Sequence, residues 1–246
     1  MKKVLIVETN ITRYQGTNEP TGLWLGEAAE FVDEMQQAQI AVDYVSPNGG
    51  FVPLDPRSMK YTDAATMAVY EDSDFINRAL KNTLKPSQVD PDDYTAIYYT
   101  GGHGVMWDFP DNPELQAIAL AIYQHGGYVT SVCHGIAGLL NIKDQTGQYL
   151  IAGKTITGFT ATEELIAGKK RIVPFLNRER ATAHGAIFSQ HRFYREYAIT
   201  DGQLITGQNP LMQNTKRRMI DINLTSVVKS ITLIKTLGHS IICQNK

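Results

Sequence analysis

The sequence predicts an α/β fold in which a mostly parallel sheet is covered on both faces by helices. Short, nearly all-apolar runs rich in β-formers recur along the first half of the chain, amphipathic helical patterns separate them, and turns rich in small residues directly follow two of the runs. The runs are Val4 to Val7, Ala41 to Val45 (interrupted by Asp43), Ala96 to Tyr99 and Tyr128 to Val132. Each is too short for a helix and too apolar for a strand with one wet face, so each reads as a buried strand. Helical spacing appears between them at Trp24 to Gln37, Asp74 to Lys81 and Glu114 to Gln124, where Leu115, Ile118, Ala119 and Ile122 share a face. In such a fold, functional groups gather at the carboxyl ends of the strands.

After Leu140 the pattern changes. Gly147, Gly153 and Gly158 punctuate short β-like pieces, and Asp201-Gly202 lies between Tyr197–Thr200 and Leu204–Thr206 as a hairpin turn. These pieces are expected to be antiparallel hairpins added to the same domain. The last stretch, residues 223–246, follows the basic cluster Lys216-Arg217-Arg218 and is rich in Ile, Leu, Thr and Val without a clean period. An extra surface helix or strand, a dimer contact and an unordered tail all fit it.

Composition narrows the function classes. The 246 residues are 43% apolar and 20% charged, with 23 basic against 25 acidic side chains. That near balance predicts neither a nucleic acid nor a membrane as partner. No apolar run reaches transmembrane length, and Glu8 and Asn10 end the first one too early for a secretory signal, so the expected compartment is the cytoplasm. The two cysteines, Cys133 and Cys243, form neither a disulfide framework nor a zinc spacing. The six histidines lack ligand spacing with acids or thiols, so neither metal nor organic cofactor is expected.

Three features could carry chemistry. In Tyr128-Val129-Thr130-Ser131-Val132-Cys133-His134-Gly135 a strand runs into a nucleophile followed by small residues, the pattern of a nucleophile elbow. Backbone donors and a helix start would favour thiolate at Cys133, whereas Cys243 in its apolar tail reads as inert. Directly after another strand, Thr100-Gly101-Gly102-His103-Gly104 can turn its amides inward as an oxyanion hole requires. Glu27 lies at the edge of the apolar stripe Trp24, Ala28, Phe31, Met35, where partial enclosure would favour a neutral carboxyl able to move protons.

Taken together, these residues resemble the ThiJ/PfpI superfamily of the class I glutamine amidotransferase-like fold, and within it the heat-shock-chaperone-like branch described as glutathione-independent glyoxalase III. The matching pieces are Lys2 to Val7, Thr21-Gly22 with Glu27, Gly101-Gly102-His103-Gly104 with Trp107-Asp108-Phe109-Pro110, and Val132-Cys133-His134-Gly135. Further pieces are Gly153-Lys154, Ile156 to Thr160, Asp201-Gly202 and Thr206 to Pro210. They run in order to about residue 222, which makes residues 1–222 one domain and residues 223–246 an extension. The resemblance implies a flavodoxin-like three-layer α/β sandwich and a homodimer. It also implies Cys133 as nucleophile, His134 as its partner, Glu164 as the acid orienting the histidine (with Glu163 adjacent), and Glu27 as the acid bonded to sulfur. Gly102 and the His134 amide match the oxyanion hole, with His103 and Trp107 beside the substrate.

The implied reaction converts a small carbonyl substrate, methylglyoxal or a related 2-oxoaldehyde, to a 2-hydroxy acid such as lactate. Two other classes use the same residues: hydrolysis of a carbon–nitrogen bond, as in a small amidase, peptidase or deglycase, and a stress role as holdase chaperone or oxidation sensor. Residues 165–197, with His184, His191 and Arg192-Phe193-Tyr194-Arg195, depart from the family pattern, so substrate identity does not follow from the catalytic residues alone. The His-x-Glu triplet of the related amidotransferases does not occur, which weighs against amide transfer.

Overall fold

The computed structural model describes residues 3–195 and 197–209. The expected extension at 223–246, with Cys243, lies outside them. The chain runs β1 (Lys3–Val7), α1 (Leu25–Gln37), β2 (Val42–Val45), α2 (Ala64–Glu71), a π-helical segment (Phe75–Lys81) and β3 (Tyr94–Tyr99). It continues through α3 (Val105–Asp108), α4 (Pro113–Gln124), β4 (Tyr128–Val132) and a 3₁₀ turn (Cys133–Gly138). The rest comprises β5 (Thr155–Ile156), α5 (Ala161–Ile166), α6 (Asn177–Ala183), β6 (Ile187–Phe188), β7 (Ala198–Asp201) and β8 (Leu204–Gly207).

Six strands form one sheet in the order β2-β1-β3-β4-β8-β7, parallel throughout except for the edge strand β7. Side-chain alternation splits its apolar residues between two cores. Val4, Ile6, Ala96 and Tyr98 face α1 and the Phe75–Lys81 segment, with Phe31 stacked on Tyr98 at 3.9 Å between ring centres. Leu5, Val7, Ile97, Tyr99 and Val129 face the opposite way, against Leu115, Ile118, Ala119 and Ile122 of α4. The result is the three-layer, flavodoxin-like arrangement expected from the sequence. It exists because strands buried on both faces need helices on both.

Register then places the site. Val7 lies beside Tyr99, Tyr99 beside Ser131, and Val132 beside Gly207. The chain therefore leaves β1, β3 and β4 along one carboxyl edge, and the loops after β1 and β3 open where strand order reverses.

Two expectations change. Among the named strands only β7 and β8 pair antiparallel, and around Gly147 an isolated antiparallel bridge joins Lys143 to Tyr149; β8 joins β4 in parallel, and β5 pairs with β6 in parallel. The glycines after Leu140 mark turns without fixing strand direction. The helical pattern at Asp74 to Lys81 is present, but as a π-helix over Phe75–Lys81. The periodicity reading also passes over α2, α5 and α6, each of eight residues or fewer. The signal for α2 and α5 lies in caps: Asp63 accepts from the Thr66 amide, and Thr160 with Glu163 forms a capping box; α6, entered from Leu176, has none.

The 3₁₀ turn after β4 lies tight on β3. A β-carbon added to Gly135 would meet the Tyr99 carbonyl oxygen at 2.2 Å, and one added to Gly138 would meet the Tyr99 ring at 2.4 Å. Gly135→Ala is therefore expected to destabilise the fold by about 1–3 kcal/mol through overpacking against rigid backbone. Gly50→Ala, with open space around its site, would suffer only from its positive φ. Urea unfolding of the two variants checks this, and equal losses would contradict it.

Candidate active site

Cys133 leaves the end of β4 at φ 57°, a left-handed conformation that costs a non-glycine residue on the order of 1–3 kcal/mol. The strain is held by Gly135 against β3 and by the Phe159 amide, which donates to the Cys133 carbonyl at 3.0 Å. This is the nucleophile elbow that the sequence predicts at this position.

Glu27 reaches the same point from α1 and is only 2% exposed. Its Oε2 accepts from the Gly101 amide at 2.5 Å, its Oε1 has no hydrogen-bond partner, and the carboxyl lies close enough to the Cys133 thiol for each to act on the other's ionisation. A β-carbon on Gly101 would lie 2.3 Å from Glu27 Oε2 and 3.0 Å from Cys133 Cβ, so only glycine lets the acid approach the thiol. Gly102, at φ 100°, is packed as closely: its β-carbon would meet the Gly22 carbonyl at 2.2 Å.

Burial dominates the electrostatics. It pushes the Glu27 carboxyl well above its ordinary range, against the lowering effects of the Cys133 and Gly101 bonds. It likewise pushes the Cys133 thiol up, with Glu27 and Glu163 acting the same way and the His134 amide opposing. The thiolate expected from a helix start is thus not favoured: the segment that follows is a six-residue 3₁₀ turn, whose dipole is weak, and the sulfur is dry. Glu27 and Cys133 compete for protons at one buried point. Because Oε2 already accepts a bond, a proton on Glu27 belongs on Oε1.

On the other side of the sulfur, His134 Nδ1 lies 3.3 Å from Cys133 Sγ and His134 Nε2 lies 2.7 Å from Glu164 Oε1. Glu164 Oε2 faces His103 Nε2 at 3.1 Å. Burial, then the charge of His134, lowers His103 to about 4, so it is neutral. Glu164 falls to about 2, since burial, which would raise it, is outweighed by the two imidazoles. One ionised carboxylate therefore serves two histidines whose rings lie 4.0 Å apart, with Phe159 4.2 Å from His134 shielding them from water.

Glu163 does something else. Its oxygens accept from the Thr160 amide and hydroxyl, the Tyr194 amide, Gln208 Nε2 and Asn209 Nδ2. It ties α5 to the 190s loop and to the end of β8, while Glu164 alone faces the histidines. Trp107 is half-buried and edge-on to Tyr14 at 5.8 Å, and Tyr14 in turn lies 5.4 Å from the His103 ring. Among the described residues, His103, His134 and Glu164 are close enough to share a metal ion. Both Nε2 atoms, however, face oxygens of an ionised carboxylate and so carry protons, which leaves no lone pair there for a metal.

Sequence reasoning missed Tyr14, Asp55 and Arg57, which complete the back wall. Asp55 is buried and accepts from Thr21 Oγ1 and from Arg57, and Arg57 in turn donates to Tyr14 Oη and lies 3.0 Å from His103 Nδ1. The available signal was Asp55-Pro56-Arg57 directly after the apolar Val52-Pro53-Leu54, because a carboxylate in such a place needs a cationic partner.

These shifts predict the acid limb of stability. His103 moves from 6.5 to about 4 on folding and Glu164 from 4.5 to about 2, so in both windows the unfolded chain binds more protons. Their contribution is complete above 6.5 and 4.5 and is lost as pH falls through the folded values. Asp108, raised by burial to about 7, acts oppositely and loses its contribution as pH rises from 3.8 through that value. Glu8, Glu27 and Glu30, raised by burial, act as Asp108 does, so the test is a difference: between pH 6.5 and about 4 the urea midpoint of the unsubstituted protein should fall relative to that of His103→Gln, and identical slopes would contradict the assignment.

The fold and this cluster have known counterparts. A family model described as the DJ-1/PfpI family matches residues 25–214. The chain is 35% identical over 232 residues to "Glutathione-independent glyoxalase HSP31" of Saccharomyces cerevisiae, covering 89% of this chain and 97% of that protein. Its structure superposes with a TM-score of 0.87 on the Francisella tularensis Rapid Encystment Protein 24 KDa, at 35% identity over 94% and 99% of the two chains. With glyoxalase III from Candida albicans the TM-score is 0.75, at 31% identity over 85% and 91%. A match of this extent, with an elbow cysteine at the expected place, makes the chain a member of the DJ-1/PfpI family.

Proposed function

We propose that the protein is a glutathione-independent glyoxalase that converts a 2-oxoaldehyde such as methylglyoxal to its 2-hydroxy acid, with Cys133 as nucleophile. The observation that carries the reading is the placing of one cysteine between two proton carriers, Glu27 on one side and His134 with Glu164 on the other. The names of the Saccharomyces and Candida relatives support it. No membrane-crossing helix occurs among the described residues, and a small polar carbonyl compound is the substrate class.

The steps balance without oxidant or cofactor. The thiol proton passes to His134 as sulfur bonds to the aldehyde carbon, and the carbonyl electron pair moves to oxygen near the Gly102 and His134 amides. Glu27 protonates that oxygen, giving a hemithioacetal. Its carboxylate then takes the hydrogen of the same carbon while His134 returns its proton to the neighbouring oxygen, giving an enediol. Glu27 delivers the hydrogen to the second carbon, its carboxylate takes the proton of the first enediol hydroxyl, and a thioester remains with Glu27 again neutral. Water, activated by His134, hydrolyses the thioester to the 2-hydroxy acid and the free thiol. Glu164 stays ionised throughout and steadies the imidazolium.

A cysteine hydrolase acting on carbon–nitrogen bonds would use the same Cys133–His134–Glu164 line but has no use for a protonated acid against the sulfur. Proton NMR with methylglyoxal in deuterated buffer separates the two. Lactate formed without glutathione is expected, its second carbon carrying the hydrogen moved by Glu27 or the solvent deuterium that replaces it there. Amine release from an amide or glycated substrate, with no lactate from methylglyoxal, would contradict the proposal.

The roles predict different losses. Cys133→Ala and Glu27→Gln should each lower kcat/KM by about 10³-fold or more. Glu164→Ala should lower kcat as well as stability, because it strands two buried imidazole N–H groups, whereas Glu163→Ala should act chiefly on stability through the five hydrogen bonds it strands. Retained lactate formation in both of the first two variants would rule out the mechanism.

A further inference from the structure

We propose that Arg57 is a positioning residue that blocks Nδ1 of His103, holding that ring neutral and in its Nε2–H form, so that Glu164 serves His134 as an uncancelled carboxylate. The inference rests on the proposed pairing of Glu164 with His134 in catalysis.

The geometry is a chain of fixed polarity. Asp55, with a fully buried side chain, grips Arg57 through Nε at 3.0 Å and through an NH2 contact at 2.6 Å, and receives the Thr21 hydroxyl at 3.0 Å. Held this way, the guanidinium presents its terminal nitrogen to His103 Nδ1 at 3.0 Å and to Tyr14 Oη. A guanidinium only donates, so the facing Nδ1 must accept and cannot carry a proton. The single proton of His103 therefore sits on Nε2 and is given to Glu164 Oε2 at 3.1 Å.

Without Arg57 the same histidine would sit against a buried carboxylate with its other nitrogen free, the setting in which imidazole takes a second proton. A cationic His103 would form an ion pair with Glu164 and weaken its hold on an imidazolium at His134, whose ring lies 4.0 Å away. The charged and titratable groups around His103 are Arg57 from the turn after Asp55, Tyr14 from the loop after β1, His134 from the elbow and Glu164 from α5. Of these, Arg57 and His134 oppose a positive ring and Glu164 favours it. Burial and His134 already lower His103; Arg57 adds to them in the same direction and fixes which nitrogen carries the single proton. It does so without facing Cys133, so its effect belongs to the chemical step and not to substrate binding.

The test combines nitrogen NMR of histidine-labelled protein with steady-state kinetics. In the unsubstituted protein without substrate, His103 should show an unprotonated Nδ1 and a protonated Nε2 that do not titrate near neutral pH. In Arg57→Met, His103 Nδ1 should become partly protonated as the tautomers mix, His103 should take its second proton at higher pH than in the unsubstituted protein, and kcat should drop about tenfold on the acid side, with KM unchanged and the loss recovering as pH rises. Arg57→Lys, which keeps a cationic donor, should recover part of kcat. A protonated Nδ1 in the unsubstituted protein would overturn the proposal even if neither variant folds. A folded Arg57→Met protein with normal kcat at every pH, or with a changed KM and unchanged kcat, would also overturn it. The resting-state NMR needs no turnover, so absence of glyoxalase activity would count against the functional reading and leave the tautomer assignment standing.

Discussion

The contact on which the site depends is that between the Glu27 carboxyl, the Gly101 amide and the Cys133 sulfur. A carboxyl group buried to 2% exposure is costly unless it is neutral or well bonded, and here a single 2.5 Å bond from Gly101 is its one partner besides the sulfur. The acid therefore retains a proton at a place where the neighbouring thiol would also need to lose one. Much of the surrounding structure follows. Gly101 must lack a side chain, β3 and β4 must end level so that the two loops meet, and α1 must return over the sheet to bring Glu27 to their junction. The hydrogen bond from Tyr98 Oη to the Glu27 carbonyl at 3.1 Å, beneath the stacked Phe31, fixes that helix in place.

Much of this was legible in the residues because it follows from periodicity and local chemistry. Four buried strands, the long helices and the elbow at Cys133 each carry a signal within a dozen residues. Glu27 was visible as an acid at the edge of an apolar stripe, but its complete burial comes from the loop after β3, some seventy positions away. What stayed hidden depends on contacts between distant segments. The direction of β5 and β6 is set by a pairing across thirty residues, and a run of two strand residues has no period to read. Arg57 and His103 meet across 46 positions, and nothing within either local motif announces the other.

The adjacent acids Glu163 and Glu164 show how a short helix divides labour. As the third residue of a capping box, Glu163 turns back to its own N-cap and outward to the 190s loop and the end of β8. One residue further round the helix, Glu164 projects to the opposite side and meets two imidazoles. A single step of about 100° separates an anchor from a group that sets charge. Tyr194, whose amide Glu163 holds and whose φ is 48°, is thereby fixed over Phe159 beside the histidines. The segment that departs most from the family pattern is thus fastened to the site by Glu163, the neighbour of the acid that matches that pattern.

The proposed chemistry depends on a Glu27 that is neutral before substrate arrives. The most direct measurement is the infrared difference spectrum between the unsubstituted protein and Glu27→Gln at neutral pH, without substrate. The account predicts a protonated carboxyl stretch that disappears in the variant. A carboxylate pair of bands lost in its place would show Glu27 ionised at rest and would contradict the shared-proton arrangement at Cys133.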